Sequence, residues 1–340
     1  MAEVKRINLA LQGGGAHGAF TWGVLDRLLE DERIEIAGIS GTSAGALNGA
    51  ALKAGWLLNG REGARENLDW LWRQIGAVQD MRMPVWMSGF LPTPGLVSDA
   101  MQFSFPFTFA DTVSRIVSPY AYGPFYSNPL QRIVDQFNYD QICANDGPAF
   151  CVCATNVHSG KIRVFTGDEI NTDSLLASAC LPTLFQAVEI EGDHYWDGGY
   201  TGNPALFPLF APALPADIVI VNINPLERAE VPMAAHEIQN RINEISFNSS
   251  LLRELRAINF VQRLIAEGTV DEGAMKRVLV HMIADDDLMR ELSVATKLFP
   301  NPYLLKRLKE AGRAAADTFL ENHFVLLNNV SSTNLEEMFG

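Results

Sequence analysis

Cysteine, basic charge and long apolar runs are all scarce in this sequence, and each scarcity removes a class of protein. Four cysteines (Cys143, Cys151, Cys153 and Cys180) in 340 residues are too few for a secreted disulfide framework. Cys151 and Cys153 fall inside an apolar run, so core packing accounts for them better than a metal site. Lys and Arg number 26 against 40 Asp and Glu, giving a formal net charge of −14. A nucleic-acid partner, which needs a basic face, is excluded on that ground. Simple electrostatic adhesion to anionic lipid is discouraged as well, so any contact with a lipid surface is expected to be apolar, local or transient. No apolar stretch approaches the roughly 20 residues that span a bilayer. The start, Met1 to Arg6, runs directly into a strand-like segment with no signal-peptide core, and the expected location is the cytoplasm, peripheral to a membrane at most.

What is present is an ordinary globular composition, 48% hydrophobic and 19% charged, enough to bury a sizeable core. Ile7–Leu11 and Ile34–Ile39 read as buried parallel strands. Each is followed by a helical pattern, the first with Phe20, Val24, Leu25 and Leu28 on one face, the second over Ala44–Leu58. Strand, helix, strand, helix at this spacing makes a right-handed parallel unit. Further strands are expected at Ala149–Ala154, Ile162–Phe165, Val188–Ile190 and Ile218–Ile223. The turn at Ser159-Gly160 suits a hairpin, which makes the sheet mixed.

Beyond Pro225 the texture turns helical, over Ala234–Ala266 and again over Tyr303–Leu320, with a strand at Arg277–Ile283 between them. That strand argues that residues 226–325 pack back onto the domain formed by residues 5–225. The basic residues Lys306, Arg307, Lys309 and Arg313 on the last helix read as a solvated face, with a membrane-surface role as the alternative. Met81 to Asn128 has few charges and carries Trp86, Phe90, Phe103, Phe105, Phe107 and Phe109. Those rings suit either an irregular insertion filling the core or a lid or apolar approach surface for lipid.

Three short segments carry chemistry. Gly41-Thr42-Ser43-Ala44-Gly45 joins the second strand to the second helix, and a G-x-S-x-G turn there exposes a serine Oγ at a helix N-terminus. Gly13-Gly14-Gly15-Ala16-His17-Gly18-Ala19 follows the first strand. Its successive glycines can point N–H groups into one concavity and hold the oxygen of a tetrahedral intermediate. The same glycines also fit the dinucleotide fingerprint, but the second strand ends Gly38-Ile39-Ser40-Gly41 without the acid that would bind a ribose. Asp197-Gly198-Gly199, late in the chain, places a carboxylate on a sharp turn. Alone it would be a plain turn.

Together these segments resemble the patatin-like phospholipase family, in its bacterial form. The likeness covers about residues 5 to 225 and includes Ala177-Ser178-Ala179-Cys180-Leu181-Pro182-Thr183-Leu184-Phe185 and the stretch from Ser118-Pro119-Tyr120 to Asn128-Pro129-Leu130. The resemblance implies a three-layer α/β sandwich, with a mainly parallel sheet between helices and the C-terminal helical extension packed on it. It implies hydrolysis of fatty-acyl esters by a Ser–Asp dyad through an acyl-enzyme, without histidine, metal or cofactor. Matched by position, Ser43 is the nucleophile and Asp197 the base. Gly13, Gly14 and Gly15 supply the oxyanion donors, and Gly18, Gly41, Gly45, Gly198 and Gly199 support the motifs. His17 departs from the pattern, since many relatives carry arginine or lysine there.

Other readings stay open on residues alone. His236, His281 and His323 follow Asp197, so a Ser–Asp–His order is not excluded by sequence, although surface or packing roles suit them better; His194 would point away from Asp197 in a strand. Asp285-Asp286-Asp287 lacks the spacing of a calcium loop and reads as a helix start. The rival functions are a serine esterase or intracellular polyester depolymerase sharing the same site, a non-catalytic protein that binds a lipid or a partner, and, third, a nucleotide-binding oxidoreductase.

Overall fold

The computed structural model describes residues 3–78, 118–121, 126–271, 273–298 and 300–339, without the side chains of residues 236, 294 and 295. Most of the aromatic segment from Met81 to Asn128 therefore lies outside the described residues.

A mixed sheet forms the middle layer. Strands β1 (Lys5–Leu11), β2 (Ile34–Thr42), β3 (Ala149–Asn156), β7 (Asp217–Val221) and β8 (Leu279–Ile283) run parallel in the order β3-β2-β1-β7-β8. The antiparallel strands β4 (Ile162–Thr166), β5 (Val188–Ile190) and β6 (Asp193–Asp197) gather around β3. The β3–β4 hairpin turns at Gly160, whose φ of 65° is a conformation glycine adopts without a steric cost.

The period-two alternation of the strands divides the core in two. Leu9, Leu11, Val219 and Val221 point into one apolar cluster, whose helices are α1 (Gly18–Glu30), α2 (Ala44–Val78), α3 (Thr172–Ser178) and α6 (Pro302–His323). Ala10, Ile218 and Ile220 point the other way, against Leu251, Leu255 and Ile258 of α4 (Ala235–Ala266). Two separate cores on one sheet make a three-layer sandwich, and central strands covered on both faces are buried along nearly their whole length. β1 is accordingly buried at every position but Arg6.

The first helical run of α2 ends at Leu58 as expected: Asn59 and Gly60, the latter at φ 57°, break the helix, and a second run follows to Val78. That second run folds back on the first, with Asn67 Nδ2 donating to Ala51 O at 2.7 Å and Trp72 Nε1 to Asn48 Oδ1 at 2.9 Å. One helix differs from expectation. On α6 the basic face is only partly solvated. Lys309 and Arg313 turn inward to Asp26 on α1, and Lys309 also meets Asp69 on α2 at 2.8 Å. α1 and α6 approach closely enough that a Cβ on Gly23 or Gly312 would collide with the facing helix backbone.

The C-terminal third completes the sheet through β8 and covers both faces, through α4 and α6. Its tail is fastened at the start of β7. Buried Asp217 bonds to His281 Nε2 at 3.0 Å and accepts from Asn328 N at 2.7 Å, while His281 Nδ1 meets Ser332 Oγ at 3.0 Å. The acidic run is a helix start: Asp285 Oδ1 accepts from Leu288 N at 3.0 Å. The four cysteines are free, and Cys151 and Cys153 are buried in β3. No described helix is long and apolar enough to cross a membrane.

Candidate active site

The junction between β2 and α2 is a single residue, Ser43, held at φ 54°. That left-handed conformation costs an L-residue roughly 1–2 kcal/mol and lets the strand turn into a helix without a loop. It is sustained by close packing. A Cβ on Gly45 would strike the Leu11 carbonyl, and one on Gly18 would come within 2.7 Å of the Ala44 Cβ. Around Gly41 the limit is the helix itself, with Gly45 O at 2.7 Å from a Cβ placed there. Ser43 N donates to Ser178 Oγ at 2.9 Å, and Ser178 Oγ donates to Cys153 O at 2.6 Å. α3, which ends at Ser178, is thereby tied to the bend.

β3 sets the distance from this bend to the carboxylate. One edge of β3 pairs with β2 up to Thr42 opposite Cys153, and the same edge then pairs with β6, with Asp197 opposite Ala154. The other edge carries β4, opposite both Cys153 and Ala154. β2 and β6 thus approach end to end along one strand. The last residue of β2 and Asp197 occupy consecutive register positions, and Ser43 is the next residue after Thr42. Thr42 Oγ1 reinforces the junction by donating to Gly202 O at 2.6 Å.

Asp197 is fully buried. Its Oδ1 accepts from Gly199 N at 2.7 Å, and its Oδ2 is buried without a hydrogen-bond partner of normal geometry among the described residues. Burial pushes the carboxyl up to about 7; the Gly199 N–H and the nearby Ser43 hydroxyl oppose that rise. Oδ2 is therefore an unsatisfied acceptor beside a serine, and hydrogen bonds of this kind are often long until substrate arrives. The turn Gly198-Gly199 is forced to be glycine. A Cβ on Gly198 would collide with the Cys153 carbonyl and one on Gly199 with the Phe247 ring of α4. Tyr200, next in the chain, has its phenol pushed up to about 12 by burial, with the Asp197 charge adding to the effect.

The glycine loop after β1 lies against the same bend. A Cβ on Gly13 would be 2.6 Å from the Ser43 Cβ and 2.9 Å from Thr42 O. Its N–H, however, is taken: Gly13 N donates to Asn203 Oδ1 at 2.6 Å. The N–H groups of Gly14 and Gly15 donate to no described residue. Of the three expected donors, two are available in this conformation. Gly15 has φ 58°, and a Cβ there would meet the Lys297 carbonyl.

Sequence reasoning passed over two polar side chains that build this site. Asn203 is buried and holds Gly13; Ser178 is buried and holds Ser43. Ser178 lies in the Ala177–Phe185 segment already singled out, but its contact spans 135 residues and leaves no local trace. None of the described histidine side chains bonds to Ser43 or Asp197: His281 pairs with Asp217, His17 with Thr296, and His194 with His158 at 3.4 Å.

Comparison with known proteins gives a consistent family and a distant structural likeness. A family model described as patatin-like phospholipase matches residues 9–210, more than half of the chain. Among solved structures, VipD from Legionella pneumophila matches 94% of this chain and 67% of its own at 13% identity, with a TM-score of 0.44. The ExoU–SpcU complex from the type III secretion system of Pseudomonas aeruginosa matches 94% of this chain at 17% identity, with a TM-score of 0.31. There this chain spans 62% of the matched chain, less than two thirds of its length. No curated protein sequence shows a significant match.

Proposed function

The chain belongs to the patatin-like phospholipase family, and on that premise we propose that it hydrolyses fatty-acyl esters of lipids with Ser43 as nucleophile and Asp197 as base. The observation that carries this reading is the register on β3, which sets a buried carboxylate with a free Oδ2 beside the strained serine. A carboxyl with a pKa of about 7 is matched to taking and returning a proton near neutrality.

In the reaction, Asp197 Oδ2 takes the Ser43 proton as Oγ attacks the ester carbonyl. The oxyanion is held by the N–H groups of Gly14 and Gly15, with Gly13 supporting the loop through Asn203. Loss of one such donor costs on the order of 10²–10³ in turnover. Collapse of the intermediate passes the proton to the departing alcohol or lysolipid and leaves Ser43 acylated. Water then gives a proton to Asp197 and attacks the acyl carbonyl, and the second collapse returns the proton to Oγ as the fatty acid leaves. The domain reading, residues 5–225 as the catalytic unit with residues 226–325 packed on it, goes with this proposal.

A fluorophosphonate probe followed by peptide mapping tests the nucleophile directly. Label is expected on Ser43 in the wild type and none in Ser43→Ala. Rates for wild type, Ser43→Ala and Asp197→Asn on phospholipid, triglyceride and short acyl esters test the rest. Equal rates for all three proteins would refute the dyad, and activity confined to a non-lipid ester would move the substrate class to the esterase alternative.

A further inference from the structure

The last third of the chain contains no recognisable motif, yet its short helix α5 (Val294–Leu298) lies across the glycine loop. The Lys297 carbonyl occupies the space where a Gly15 side chain would be. Thr296 Oγ1 gives its hydrogen to Ser293 O at 2.7 Å, so the 2.8 Å contact with His17 Nε2 needs that nitrogen as donor. His17 is buried and its Nδ1 is left as an acceptor without a described partner. The most directed contact is that of the Lys297 ammonium, which donates to Asn224 Oδ1 at 2.7 Å.

An ammonium has donors only, so together with the acceptors on its far side it fixes which way the Asn224 amide faces. With Oδ1 on Lys297, Nδ2 must face the opposite side, where it donates to Gly13 O at 2.9 Å and to Gln12 Oε1 at 3.1 Å. The Gly13 carbonyl shares a planar trans peptide with the N–H of Gly14, and in such a unit the two point in opposite directions. Holding Gly13 O toward Asn224 therefore aims Gly14 N–H away from Asn224. Gly13 itself stands against Ser43.

We propose that Lys297 is a positioning residue for the hydrolytic reaction: through Asn224 it fixes the Gly13–Gly14 peptide and so aims the Gly14 N–H at the oxyanion. The proposal rests on the Ser43–Asp197 reading, and it makes a segment more than 250 residues from the nucleophile part of the active-site framework. Without the ammonium, Asn224 Oδ1 is left buried with no donor, and an amide held on one side only can shift to find one, taking the Gly13–Gly14 peptide out of line.

The test is a double-mutant cycle on the full chain, using a lipid ester and the fluorophosphonate probe. Lys297→Met is expected to lower kcat about 10- to 100-fold, less than outright loss of a donor, with KM changed less than about threefold. Ser43 labelling should slow by a similar factor. Lys297→Arg, which keeps a donor-only cation, should restore most of the rate. Because the effect runs through the amide, Lys297→Met should cost almost nothing further in an Asn224→Ala background. Full additivity there, or a Lys297→Met enzyme with wild-type kcat, overturns the proposal. If Lys297→Met does not fold, Asn224→Asp decides: it keeps the partner of Lys297 but has no donor for Gly13 O, and the same loss of kcat is expected in folded protein, with KM changed less than about threefold. Full activity in that variant overturns the proposal too. Wild-type protein that is not labelled at Ser43 refutes the underlying dyad reading, and the proposal falls with it.

Discussion

Replacing Asp197 by asparagine is expected to make the protein harder to unfold at alkaline pH while abolishing turnover. The carboxyl has an ordinary value of 3.8 and is raised to about 7 by burial in the folded protein. Between those two values the native state holds a proton that the unfolded chain releases. Stability contributed by this group is therefore complete below pH 3.8 and is lost as pH rises through 7. Taking 3.8 and 7 as the two pKa values, moving from pH 5 to pH 8.5 costs the wild type about 2.7 kcal/mol that the asparagine variant does not lose. For a chain of this length that corresponds to about 4 °C in Tm.

The asparagine keeps an oxygen for Gly199 N, and any penalty for its unpaired amide is the same at both pH values, so it cancels in the double difference. Other titrating groups, including Glu254, whose carboxyl burial also raises to about 7, are common to both proteins. Urea unfolding of wild type and Asp197→Asn at pH 5 and pH 8.5 gives the number. Parallel pH dependence in the two proteins would show that the Asp197 carboxyl is not held above its ordinary range, and the physical basis for its role as a near-neutral base would go with it.

Two further outcomes follow from the same geometry. The kcat/KM of lipid ester hydrolysis should fall about tenfold per pH unit on the acid side of about 7, as protonation removes the base; a profile flat from pH 5 to 8 would contradict this. Ser43→Gly should be inactive yet about 1 kcal/mol more stable than Ser43→Ala, because only glycine relieves the strain at φ 54°; equal stabilities in thermal unfolding would mean that the bend is not strained.

The parts of this molecule that were legible in its sequence are those written locally. β1, α1, β2 and the first half of α2 show their apolar periods directly, and the glycines between them mark turns with no space for a side chain. The short strand Val188–Ile190 and the β3–β4 hairpin were readable for the same reason. β6 was harder: Asp193–Asp197 is five residues of mixed polarity, and it is a strand because β3 offers it an edge. The α4 pattern identified a helix but not which turns are covered. Leu255 and Ile258 are buried, whereas Ile238, Ile242 and Ile245 are exposed.

At the site, motif and spacing named Ser43, Asp197 and the glycine loop. They could not show that Gly13 N–H is consumed by Asn203, a contact 190 residues apart in the chain. Ser178, Asn224 and Lys297 were invisible for the same reason. A hydrogen bond between distant segments has no period and no local composition, so it becomes readable only when the sheet has brought its ends together.

The shared edge of β3 has a consequence for how the site endures heat. Ser43 and Asp197 stand at the ends of two strands pegged to a single rail, so bending of the surrounding loops should leave the gap between them nearly constant while that rail holds. Function should then persist almost undiminished on warming and vanish sharply, at the temperature where that rail itself gives way.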